Sequence, residues 1–65
     1  MLKNQIINYL SANRRLNICF KDGKALICDK FVADIDDNTI EVAVGKAPVV
    51  SYLINIRAIT YLEVR

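Results

Sequence analysis

Histidine and tryptophan are absent from this chain and only two cysteines are present. The missing imidazole excludes a His general base, the Ser-His-Asp triad and the His-containing zinc sets, because each of those chemistries needs that ring. Strong net charge is missing too: nine Lys and Arg against seven Asp and Glu leave a formal +2. Bulk attraction to a polyanion needs a denser basic footprint than that, so any such partner has to be held by local geometry. No apolar run approaches the ~18 residues that span a bilayer, and the amino terminus lacks a charged-then-apolar leader pattern. The composition therefore predicts a cytosolic (cytoplasmic) chain with no membrane role, no cofactor and no catalytic constellation.

What is present is apolar surface. Of the 65 residues, 54% are hydrophobic, yet a domain of this size buries only ~60% of the surface its unfolded chain exposes. Disulfides and metals have almost no residues to work with here, which leaves self-association as the expected outlet for the surplus.

Leu2, Ile6, Tyr9 and Leu10 recur at helical spacing with Lys3, Asn4, Asn8 and Ser11 between them, which predicts a short amphipathic helix ending near Asn13. From Leu16 the period changes to two, with Leu16, Ile18 and Phe20 alternating against Asn17, Cys19 and Lys21. Asp22-Gly23 follows and predicts a two-residue type I′ hairpin turn. In that register Cys19 faces Leu26 and Cys28 faces Asn17. The two sulfurs are then diagonal neighbours with Cα atoms about 7 to 8 Å apart, beyond comfortable disulfide reach, and read as reduced thiols. The second strand runs long from Lys24. Leu26 and Cys28 share one face, Asp29-Lys30 marks a bulge or bend, and Phe31, Ala33 and Ile35 then carry the apolar face. Asp36-Asp37-Asn38 is a turn, Thr39 to Val44 a third strand, and Gly45-Lys46-Ala47-Pro48 another turn. Val49 to Ile54 and Ile59 to Val64 complete the set, separated by a break at Asn55 to Ala58. The chain reads as one domain, 1–65. Its predicted class is α+β, mainly β: an N-terminal helix and five strands forming a strongly bent antiparallel sheet, a small SH3-like or OB-like barrel. Its last strand, apolar and without Pro or a central Lys, is poorly defended as a free edge.

Four segments in this order resemble the Sm-like (LSm) family, in particular its bacterial Hfq branch. Ile7-Asn8-Tyr9-Leu10 is similar to the helix pattern. Phe20-Lys21-Asp22-Gly23-Lys24-Ala25-Leu26 is similar to the first Sm motif. Ile35-Asp36-Asp37-Asn38-Thr39-Ile40 resembles its later aromatic-Asp turn, although a gapless alignment puts Asp34 in the Asp position. Ile56-Arg57-Ala58-Ile59 resembles the second motif, Ile-Arg-Gly in Sm proteins and Lys-His-Ala-Ile in Hfq. The resemblance implies a five-stranded Sm-like barrel assembled through its last two strands into a homo-oligomeric ring of roughly five to eight subunits. Such a ring binds single-stranded RNA, often uridine-rich near the pore and purine-rich on the opposite face, in the manner of an RNA chaperone or post-transcriptional regulator. Departures accompany the matches. Cys28 replaces the Gly of the strand bend, Asn38 stands where the family has a stacking aromatic, Cys19 stands where the opposite face has one, and Ile56 replaces a Lys.

The candidate RNA-binding residues are Arg57, Asn38, Asp36, Ile56, Arg14, Arg15, Lys3 and Asn8. Arg57 can stack on a base and donate to a carbonyl or phosphate oxygen; its structural alternative is a salt bridge between subunits. Asn38 offers a donor and an acceptor that complement a uracil edge but cannot stack, which forfeits ~1 to 3 kcal/mol per base; the alternative is a turn-capping amide. Asp36 reads as an orienting carboxylate, and its neighbour Asp37 points elsewhere on the turn, which disfavours paired acid-base chemistry. Arg14 and Arg15, with Lys3, can contact phosphates along an outer edge, or simply complement the helix dipole. Tyr52, Tyr61, Phe20 and Phe31 read as core or interface aromatics. The competing reading from another class is an oligomeric assembly module that holds proteins together and whose RNA pockets have decayed.

Overall fold

The computed structural model describes residues 2–46 and 50–65. Helix α1 (Leu2–Ser11) buries Ile6 and Leu10. It stops in a Schellman arrangement: Asn13 takes φ 62°, the Asn13 amide donates to the Leu10 carbonyl (3.1 Å), and the Arg14 amide reaches back to Tyr9 (2.9 Å). Asn tolerates the left-handed conformation this stop requires.

Six strands follow rather than five: β1 (Leu16–Phe20), β2 (Ala25–Cys28), β3 (Lys30–Asp36), β4 (Thr39–Val44), β5 (Val50–Asn55) and β6 (Ile59–Val64), with one 3-10 turn at Ile56–Ala58 between the last two. They form two three-stranded antiparallel sheets, β2-β1-β6 and β3-β4-β5, in place of the closed barrel expected. The expected long second strand divides at Asp29. There the backbone amide donates to Ala43 (3.2 Å), while the side chain accepts from the Gly45 amide (2.8 Å). A residue that bonds through both its backbone amide and its carboxylate to the far end of β4 in this way interrupts the ladder and turns the chain from one sheet into the next. Of the predicted Gly45–Pro48 turn, Ala47 and Pro48 lie outside the described residues, as does Val49 at the predicted start of the following strand.

The hairpin differs from expectation by one residue. Gly23 has φ +87° while Asp22 does not enter the positive-φ region, so the type I′ turn is excluded. Instead the Gly23 amide bonds to Phe20 (3.0 Å) and the Phe20 amide to Lys24 (2.9 Å), a longer loop closed by a left-handed glycine. The resulting partners are Leu16 with Cys28, Ile18 with Leu26 and Cys19 with Ala25. Hydrophobic pattern selects this register, because only an even-with-even pairing places Leu16, Ile18, Leu26 and Cys28 on one face. Cys19 and Cys28 consequently face opposite sides of the sheet, and both are free thiols.

Register shifts also interrupt β3, at Val32 and Ile35. Phe31 pairs with Val42 and Ala33 with Glu41, so Phe31 and Ala33 lie on opposite faces, contrary to the shared odd-numbered face expected. Ile35 is exposed. Leu16, Ile18, Cys28, Ile40, Val42, Ile54 and Ile59 fill the space between the sheets, and α1 adds Ile6 and Leu10 to this core. Truncating a side chain as buried as Ile40 costs ~2 to 5 kcal/mol, so these positions dominate stability.

Two measurements check this account. Gly23 has nothing within 4 Å of a Cβ, so Gly23→Ala suffers only backbone strain. Its stability in urea should fall by about 1 to 2 kcal/mol, with Gly23→Asn losing less. Burial, reinforced by the Asp29 carboxylate, pushes the Cys28 thiol up to about 11 from its ordinary 9.0. The folded state therefore holds the proton more tightly than the unfolded one. The stability this contributes is complete below pH 9 and is lost as pH rises toward 11. Urea titrations across that interval should show the decline, and Cys28→Ala should reduce it.

Candidate nucleic-acid interface

Three turns in this chain share one device, a side-chain oxygen that accepts from the amide two residues on. Asp22 accepts from Lys24 (2.9 Å), Asp36 from Asn38 (2.9 Å), and Asn55 from Arg57 (2.9 Å). All three turns meet at the 3-10 turn. The Ile56 amide donates to the Asn38 carbonyl (2.7 Å), and the Lys21 amide donates to the Ala58 carbonyl (2.8 Å). One consequence is that Asp36, Asn38, Ile56 and Arg57, separated by up to 21 positions along the chain, come together at one end of the molecule.

Within this cluster Arg57, Asn38 and Asp37 are exposed, and Ile56 packs partly against the core. Among the described residues the Arg57 guanidinium makes no ion pair, whereas Lys3–Asp34 and Arg65–Glu63 do. Asp36 orients its own turn through Asn38 and makes no bond to Arg57. Asp34, the alternative motif position, holds Lys3 instead: the Lys3 ammonium lies 3.2 Å from Asp34 Oδ1 and 3.4 Å from the Asp36 carbonyl. Lys3 is thus beside the turn cluster but already neutralised, and it ties α1 to β3.

The remaining candidates lie elsewhere. Arg14 Nε donates to the Arg65 carbonyl (3.0 Å) and the Arg65 amide to Arg15 (2.8 Å). Arg15 and Lys46 line a cavity of about 180 Å3 that also contains Asp29. This forms a second basic corner, to which Arg65 and Lys46 contribute without having been singled out from the sequence. Asn8 is exposed on the helix. Asn55 was missed as well, although its signal is in the sequence: it stands two residues before Arg57, as Asp22 stands before Lys24.

Beside the turn cluster, between the hairpin and β5, runs a groove of about 320 Å3 whose walls include Phe20, Leu26, Tyr52, Leu53 and Asn55. Among the described residues the adjoining edge of β5 has no partner strand, and the same holds for the outer edges of β6, β2 and β3. Exposed apolar side chains lie on all four edge strands, with the largest share on β5: Val50, Tyr52 and Leu53 on β5, Tyr61 and Val64 on β6, Val32 and Ile35 on β3 and Ile27 on β2, with Leu53 the most exposed at 68%. No cluster of three metal-ligating side chains is found among the described residues, nor any helix long and apolar enough to cross a membrane.

No family model, curated protein or solved structure matches the chain.

The Lys3 contact yields a direct test. Lys3→Ala should cost about 0.5 to 1 kcal/mol in urea denaturation, the range of a partly exposed pair. Added salt should narrow the gap between variant and wild type, because it screens the pair that only the wild type possesses.

Proposed function

We propose that this chain is an Sm-like, non-enzymatic subunit of a ring that binds single-stranded RNA through Arg57 and Asn38 of successive copies, with a subsidiary contribution from the basic corner of Arg14 and Arg15. The observation that carries this reading is the 2.7 Å bond from the Ile56 amide to the Asn38 carbonyl, which brings the backbone of the Arg57 turn against that of Asn38, with both residues exposed. A guanidinium stacks on bases and donates to phosphate, and an amide complements a uracil edge, so repetition around a ring gives a multivalent site for a uridine-rich strand.

Ring formation is supported by the open edges of β5 and β6, which are each six residues long and are edge strands of different sheets. β6 of one copy can complete the backbone hydrogen bonding of β5 in the next and cover the apolar groove beside it. Joining two different edges is a heterologous contact, and heterologous contacts close into rings when the rotation per subunit permits.

A second reading, the protein-assembly module with decayed RNA pockets, is favoured by one feature. Asn38 supplies no stacking surface, and the exposed carboxylates of Asp36 and Asp37 flank the same turn.

Sedimentation combined with titration of an oligouridylate at about 50 and about 200 mM salt separates the two. The RNA-binding ring predicts a single oligomer whose affinity falls with salt as counterions are released, and a loss of about tenfold or more in Arg57→Ala through the lost avidity. An oligomer indifferent to RNA at low salt would leave the assembly reading. Leu53→Lys, at an exposed edge position, should preserve the fold while shifting the mass toward monomer.

A further inference from the structure

Three consecutive residues of the 3-10 turn are each held by a different part of the chain. Ile56 is held by the Asn38 carbonyl from the β3–β4 turn, and Ala58 by the Lys21 amide of the hairpin. Arg57 is held by the side chain of Asn55. The first two are backbone bonds that any sequence can make. The third depends on residue type. A three-residue 3-10 segment has poor hydrogen-bond geometry and little stability of its own, and neither Ile56 nor Arg57 belongs to the turn-forming residue types. Asn55 leaves β5 in extended conformation (φ −92°, ψ 116°) and caps the turn through Oδ1. The Arg57 side chain makes no ion pair among the described residues, so the point on the surface from which it projects rests on the backbone that carries it.

We propose that Asn55 is the positioning residue for Arg57: its amide oxygen locks the backbone of the turn so that the guanidinium points outward beside Asn38. This role rests on the reading of Arg57 as the RNA-contacting cation. It also accounts for an exposed amide following Tyr52, Leu53 and Ile54 at the end of β5, where an apolar side chain could not cap. Serine retains a capping oxygen and alanine does not, so the two substitutions separate capping from mere side-chain size.

The test is a set of oligouridylate titrations on the assembled protein. Asn55→Ala should weaken binding by about five- to tenfold, the scale of a lost cap, while Asn55→Ser should restore it to within about twofold. In an Arg57→Ala background Asn55→Ala should add no further loss, because the effect passes through Arg57. An equal loss in both backgrounds, unchanged binding in Asn55→Ala, or no recovery with serine would overturn the assignment. Hydrogen exchange at the Arg57 amide provides a readout that needs no RNA: slow in the wild type, fast in Asn55→Ala, slow again in Asn55→Ser. If the wild type binds no oligonucleotide, the functional reading fails, and this exchange pattern alone decides whether the cap exists. If Asn55→Ala dissociates the oligomer, the same pattern decides. A persistently protected Arg57 amide in Asn55→Ala would overturn it.

Discussion

The 3-10 turn at Ile56–Ala58 is the constraint on which both the architecture and the candidate site depend. It takes the chain out of the β3-β4-β5 sheet and delivers it to the far edge of β2-β1-β6. Without that redirection β6 would continue as a hairpin partner of β5, and the two sheets would lose the connection that closes the core behind Ile54 and Ile59. The same turn gathers the hairpin tip and the β3–β4 turn through two backbone bonds. Residues scattered over the sequence thereby become neighbours, and the chain acquires one end rich in exposed polar groups.

That redirection has a cost, which is an unclosed barrel. Sending β6 to β1 leaves both β5 and β6 with unpaired backbone groups and exposes Tyr52, Leu53 and Tyr61 alongside them. A small domain lacks the interior volume to hide such surface. Edge strands without a proline or a central lysine are templates for further pairing, so the proposed ring and the proposed RNA site share an origin: the turn that presents Arg57 also creates the edges that would multiply it.

Much of the fold was legible in the residues because burial has a period. Leu16, Ile18, Ile40, Val42 and the helix pair Ile6 and Leu10 were recognisable as core by spacing alone. Interruptions were less legible. Asp22-Gly23 is compatible with two loop lengths, and turn chemistry does not choose between them; matching the even-numbered apolar positions of both strands does. Likewise the bulges at Val32 and Ile35 separate Phe31 from Ala33 because β4 offers Val42 to one and Glu41 to the other. Asp29 was visible as a break, but its bond to the Gly45 amide, which divides one strand into two, joins residues 16 positions apart.

The candidate site divides in the same way. Arg57, Asn38 and Asp36 could be named in advance because guanidinium, amide and carboxylate chemistry belongs to residue type. Lys3 could be named too, yet its charge is taken up by Asp34, a contact between the helix and a strand that no local pattern encodes. Asn55 escaped notice because a capping residue acts through its neighbour's backbone. The sequence by itself determined the burial of Ile6, Leu10, Leu16, Ile18, Ile40 and Val42, where most turns fall and which functional groups are available, since side-chain alternation and turn chemistry are local. Tertiary structure alone decided the split into two sheets, the neutralisation of Lys3 and the meeting of three turns at Arg57. Each of these depends on the partner that a hydrogen bond or an ion pair finds at long range.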